Sequence, residues 1–308
     1  MLEGFPRGNK LLAAVFTLTL FIVPLSSAAA QQKKGAEQDA TPTVGSTIST
    51  LVGIGADVLT SASKLVDADP YSQFRGARYS NEGLVNERAE ARLGNQLNLE
   101  VAKKFQVVRE GQERASRIGQ RVARASLRPN LVYRFHVVKD SQINAFSGPG
   151  GHIYVTTALM NLANDDELAS VLSHEVGHVV ARHSLKTIQQ SQALRGLAGL
   201  FGSLTGIAGD TAGELGNAAA TIVASGLLAV HNREEEREAD FLGVRAMPKA
   251  GFNPRGMVTM FEKLQRMSQS DGDLLGSLFA DHPDVTERIE NTRYEIARMG
   301  GSNRNAGK

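Results

Sequence analysis

Apolar and polar positions change period several times along this chain, and the changes mark its elements. In residues 86–105 and again in residues 112–125, charges alternate with Leu, Val and Ile at helical spacing. That pattern predicts two amphipathic helices, the second stopped by Arg128-Pro129-Asn130. From Leu131 to Lys139 the period falls to two, with Leu131, Tyr133, Phe135 and Val137 on one face of a strand. Two more short strands are expected, at residues 143–146 and 152–156, around Ser147-Gly148-Pro149-Gly150-Gly151. Asn164 then stands where an N-cap belongs, and Glu167 completes a capping box. The helix it opens has Leu168, Val171, Leu172, Val179 and Val180 as its expected buried stripe. Another helical segment is expected to begin within residues 231–240.

The ends carry a different pattern. Arg7 and Lys10 precede an apolar stretch broken by Pro24, and Ala28-Ala29-Ala30 offers a small-residue cleavage site before Gln31. Residues 1–30 therefore read as a secretory signal, because the apolar run falls short of the roughly 20 residues of a bilayer span. The body is then expected in the periplasm. Residues 31–45 look like a disordered linker, and residues 46–68, apolar and rich in Ser and Gly, like a loosely docked helix. The resulting division is signal 1–30, linker and apolar segment 31–80, catalytic domain 81–300 and disordered tail 301–308.

Residues 190–230 stand apart. Gly, Ala, Ser and Leu dominate, and only Arg195, Asp210 and Glu214 are charged. The plain expectation is a small-residue helical hairpin over the site. The sharper one is a lid, or a surface for peripheral membrane or outer-membrane assembly contact. Asp210 and Glu214 interrupt the run, which argues against a transmembrane helix.

Composition narrows the chemistry. A 42% hydrophobic, 21% charged chain of 308 residues can build an ordinary core. Its net charge of +2 gives no basic stripe for nucleic acid. Cysteine is absent, so disulfides, thiolate nucleophiles and Cys-ligated zinc are all excluded. Any metal must be held by His, Asp or Glu.

His174-Glu175-Val176-Gly177-His178 supplies such residues. Side chains four apart on a helix share a face, so both imidazoles can grip one ion, and Glu175 lies about 100° around, beside the open position. A glycine and then a third histidine further along the same segment are missing, since Ala181 and Ser184 hold those two places. His183, nine residues after His174, falls on the opposite face of a continuous helix and reads as structural. A carboxylate from residues 231–240 remains. Spacing favours Glu236, because Asp240 one turn later can accept the other N–H of a metal-bound imidazole; Glu235 and Glu238 stay open as alternatives. Ala239 and Gly243 would let the second helix approach closely.

Residues 174–183 resemble the H-E-x-x-H-x-x-x-R-H signature of the HtpX and CAAX-prenyl-protease-like zinc metallopeptidases. Glu236-Arg237-Glu238-Ala239-Asp240 resembles that family's E-x-x-A-D motif, residues 144–151 its N-A-F-x-x-P-G-G strand, and His282-Pro283 through Arg288 its H-P-x-x-x-x-R element. The resemblance covers residues 80–298. It points to the soluble periplasmic, BepA-like branch, without the membrane members' helices and without the repeat domain. It implies an α+β, zincin-like (gluzincin) domain, mostly helical with a small mixed β-sheet over the metal helix. It also implies Zn2+ on His174, His178 and Glu236, Glu175 as catalytic base, and His282 as a residue that can approach and gate the zinc. Before Pro283, His282 has a plainer role as a helix-entry residue. The stretch from Gly148 to Val155 is expected as an edge strand that holds peptide by β-augmentation, with Asn144, Gly148, Gly150 and Gly151 contributing. The expected function is a zinc metalloendopeptidase acting on misfolded or unassembled envelope polypeptides. The alternative is an envelope chaperone or assembly factor with a latent metal site.

Overall fold

The computed structural model describes residues 69–77, 79, 86–191, 212–229, 231–270 and 285–305, all within one unit spanning Asp67–Lys308. The two amphipathic stretches form α1 (Glu87–Lys104) and α2 (Gln112–Ala125). The Asn86 side chain caps α1, with Glu87 and Glu90 in its first turn and Lys103 and Lys104 in its last, each sign opposing the helix dipole.

Three strands follow: β1 (Arg134–Val138), β2 (Ala145–Ser147) and β3 (His152–Thr156). Their order is β1-β3-β2, with β1 parallel and β2 antiparallel to β3. The sheet separates two cores. Phe135, Val137, Ile153 and Val155 enter the main one, while Phe146 and Tyr154 enter a second beneath α1.

This topology corrects the expected edge strand. β3 is central, both its ladders are taken, and every residue in it is buried, so it cannot accept a substrate strand. Pro149–Gly151 forms a single 3-10 turn in which Gly150 and Gly151 have φ of 73° and 86°. A Cβ on Gly151 would stand 2.6 Å from the Val132 carbonyl oxygen, and one on Gly150 3.0 Å from the Ala91 Cα. These glycines are required by chain packing.

After α3 (Thr157–Leu162) comes α4 (Asp165–Ala181). Its start is the expected capping box, with both the Asn164 and Glu167 hydrogen bonds formed. Its burial is not the expected single stripe: every residue from Leu168 to Ala181 except Val171 is buried. Neighbours on several sides, α2, β2, α7 (Arg233–Lys249) and α8 (Arg255–Ser270), enclose it. The helix stops at Arg182, whose φ of 59° is left-handed, and α5 (His183–Gln190) restarts at once.

In the described part of the small-residue segment, α6 (Ala212–Ala224) packs on α1, with Ala218, Ala219 and Ile222 buried in the second core. The chain closes with α9 (Val285–Asn305), which stays helical beyond residue 301, where a tail was expected. Tyr71, expected in a linker, is fully buried with its ring centroid 5.2 Å from that of Phe241. Residues 1–30, expected as a signal, residues 31–68 and 192–211, and His282 lie outside the described residues. No helix among the described residues is long and apolar enough to cross a membrane.

Candidate metal centre

Backbone contact brings α4 and α7 together. A Cβ on Gly177 would lie 2.7 Å from the Ala239 carbonyl oxygen, and one on Gly243 would lie 3.0 Å from the His174 nitrogen. The close approach expected from Ala239 and Gly243 is thus present, with Gly177 as the facing partner. Asn232 caps α7 and places Glu236 in its first turn, opposite the imidazoles.

Three side chains converge there. His174 Nε2 and His178 Nε2 are 2.9 Å apart, and the Glu236 carboxylate lies 3.4 Å from the first and 3.2 Å from the second. A tetrahedral ion with bonds of about 2.0–2.1 Å needs ligand–ligand edges of about 3.3 Å, so the donor set fits a zinc-sized cation. All three residues are buried.

Behind this trio lies a buried charge network. The His174 Nδ1–H donates to Asp240 Oδ1 at 2.8 Å. Arg288 donates to both Asp240 oxygens at 2.7 and 2.8 Å and pairs with Glu236 at 2.8 Å. Burial would raise the Asp240 carboxyl, but Arg288 holds it below the usual carboxylate value. Without metal, burial depresses His174, yet Glu236 and Asp240 override it and lift its pKa to about 9. Burial, with the imidazoles of His231 and His174 close by, pushes His178 well down. The pocket is therefore poised to hold positive charge at one point.

Glu175 is 1% exposed and, with His174, lines a cavity of about 50 Å³ walled by Met257, Met260, Phe261 and Leu264 of α8 and Ala145 of β2. The two alternative ligands are occupied elsewhere. Glu235 accepts from the Asn232 backbone N–H in a capping box, and Glu238 pairs with His183 at 2.9 Å.

The four residues expected to contact substrate lie beside β2 and in the turn that follows it. The Asn144 side chain accepts from the Ala145 N–H at 2.8 Å, the Gly148 N–H donates to the His152 carbonyl, and Gly150 and Gly151 serve the turn. His183 is also corrected. Because the left-handed Arg182 ends α4, its ring does not point to the opposite face but folds back, with Nδ1 2.9 Å from His178 Nδ1. Two neighbours escaped the reading of the sequence. Arg288 carried a signal only as the end of the late motif, and His231, stacked on His178 with ring centroids 3.8 Å apart, carried none beyond its place before the α7 cap.

The profile of Peptidase family M48 matches residues 110–296. Metalloprotease YcaL of Escherichia coli K12 is 31% identical over 190 residues, covering 60% of this chain and 72% of its own. Mitochondrial metalloendopeptidase OMA1 of Schizosaccharomyces pombe is 31% identical over 175 residues, 56% of this chain and 50% of its own. The Beta-barrel assembly-enhancing protease of Yersinia pestis is 32% identical over 186 residues, 59% of this chain and 38% of its own. The chain thus spans half or less of the last two relatives. On the family match and the metalloprotease relatives together, the chain belongs to peptidase family M48 and carries that family's metallopeptidase domain.

Proposed function

We propose that this chain is a zinc-dependent endopeptidase of the cell envelope, in the BepA-like branch, that hydrolyses misfolded or unassembled envelope polypeptides. The observation that carries the reading is the convergence of His174, His178 and Glu236 at tetrahedral spacing beside the buried Glu175. The envelope assignment is supported by the signal-like pattern of residues 1–30 and by a relative named as a β-barrel assembly-enhancing protease.

His174, His178 and Glu236 would hold the ion, and their nitrogen and oxygen donors suit zinc. When bound, zinc supplies Lewis acidity to water and to the scissile carbonyl. Glu175 takes a proton from the attacking water and delivers it to the departing amine. Asp240 holds the His174 ring with Nε2 toward His178 and Glu236, and Arg288 holds Asp240 and Glu236 in turn. Burial of the trio excludes bulk water, which strengthens each of these interactions.

Glu175→Gln is the test. The amide keeps the shape but cannot accept the proton, so the purified variant is expected to retain one zinc and lose casein cleavage by about 10²-fold or more. Cleavage at the wild-type rate with zinc in place would defeat the assignment.

A further inference from the structure

Behind His178 lies a row of polar groups with no part in the chemistry given to Glu175. His178 Nδ1 is 2.9 Å from His183 Nδ1, His183 Nε2 is 2.9 Å from Glu238 Oε2, and the Tyr79 hydroxyl donates to Glu238 Oε1 at 2.7 Å. His178 and His183 are buried, and Tyr79 and Glu238 half-buried. Tyr79 lies upstream of residues 110–296, the part matched by the family profile.

The hydrogen positions follow from the far end. Glu238 is a carboxylate and can only accept, so His183 must carry its proton on Nε2. A neutral His183 then has a lone pair on Nδ1, and the contact with His178 requires His178 to donate from its own Nδ1. That leaves the His178 Nε2 lone pair directed at His174 and Glu236, where the ion would sit. We infer that His183, Glu238 and Tyr79 are positioning residues that lock His178 into its metal-binding tautomer. This inference rests on the zinc reading above.

The two ligand histidines are thus secured differently. His174 donates directly to a carboxylate backed by Arg288. His178 donates to a neutral imidazole, a group that is equally able to present N–H instead of a lone pair. Without Glu238, His183 is free to place its proton on Nδ1. His178 would then be driven to accept there and to carry its own proton on Nε2, which blocks ligation. Tyr79 contributes by giving the second Glu238 oxygen a donor, which keeps the carboxylate turned toward His183.

The test is zinc affinity of the full chain, stripped and reloaded, measured by chelator competition and by the visible spectrum of the Co2+-substituted form. Glu238→Leu and His183→Leu are expected to weaken zinc binding by about 10–100-fold, the usual effect of losing such a support. His183→Asn places an amide oxygen where Nδ1 was, so it should bind more tightly than His183→Leu. In the His183→Asn background Glu238→Leu should add no further loss. Glu238→Gln keeps an acceptor for the His183 Nε2–H and should bind more tightly than Glu238→Leu. Tyr79→Phe is expected to weaken binding by a few-fold, and only while His183 is present. Wild-type affinity in Glu238→Leu overturns the inference, as does an equal loss from Glu238→Leu in the His183→Asn background. Two zinc ions per wild-type chain would also overturn it, because His178, His183 and His231 stand close enough to hold a second. Should His183→Leu fail to fold, Glu238→Leu, at a half-buried position, still decides. A wild-type chain that binds no zinc would refute the proposed function itself, a separate result.

Discussion

Gly177→Ala tests whether the spacing of two helices sets the geometry of the metal trio. A methyl group on residue 177 would meet the Ala239 carbonyl oxygen at 2.7 Å, its Cα at 3.0 Å and its carbonyl carbon at 3.2 Å. Ordinary contact begins near 3.4 Å, so the worst overlap is about 0.7 Å. All three obstructing atoms are backbone, and none can rotate away. α7 must therefore retreat from α4 by about that distance, taking Glu236 with it. The Glu236 separations of 3.4 and 3.2 Å from the imidazoles would widen to about 4 Å, beyond the edge of roughly 3.3 Å that zinc requires. Overpacking of this kind costs about 1–3 kcal/mol. Gly243→Ala is the graded control, since its nearest obstructions stand at 3.0 Å from the His174 nitrogen and the Ser173 carbonyl carbon. Urea unfolding of the metal-free protein and a chelator-competition zinc titration would be run on all three proteins. Both measurements should rank wild type above Gly243→Ala and Gly243→Ala above Gly177→Ala. Zinc affinity unchanged in Gly177→Ala, even with stability lowered, would refute the link between helix spacing and the metal.

Two further outcomes are expected. Arg288→Met removes the buried counter-charge of Glu236 and Asp240 and should destabilise the metal-free protein by about 3–5 kcal/mol; saturating zinc should restore part of this, and equal destabilisation with and without zinc would contradict the shared network. The second concerns pH. In the metal-free fold His174 has a pKa of about 9 against an ordinary 6.5, so its bound proton stabilises fully below 6.5 and that contribution is lost as pH rises through 9. Denaturation across pH 6.5–9.5 should show the metal-free protein weakening over that window while the zinc-loaded form does not, and parallel slopes would exclude His174 as the source.

Local patterns carried much of this architecture. The capping box at Asn164 and Glu167 depends on groups three residues apart, and so was readable in advance. The same holds for the two histidines one turn apart, and for the boundaries of α1 and α2. What failed depended on distant partners. Strand periodicity says which face is buried but not how many neighbours a strand has, so β3 was placed at an edge when it is central. Helical periodicity assumes a continuous helix, and the left-handed Arg182 breaks it, returning His183 to the site. α4 is enclosed by several elements, which no stripe could announce. Arg288 lies 48 residues after Asp240, and Tyr79 lies 159 before Glu238; nothing in local spacing joins such pairs.

Glu90 gives the domain a boundary that sequence similarity alone would misplace. This carboxylate on α1 is 1% exposed and accepts from Arg128 at 3.0 and 3.1 Å while pairing with Arg182 at 3.1 Å. It therefore anchors both the loop before the sheet and the terminus of the histidine-bearing helix. Trimming the polypeptide to the homologous stretch starting at 110 would remove the buried carboxylate that both guanidinium groups share. Breaking even one such buried pair removes about 3–5 kcal/mol, a large share of the roughly 5–15 kcal/mol that holds a typical domain together. The smallest autonomous piece of this molecule accordingly begins upstream of its most recognisable portion.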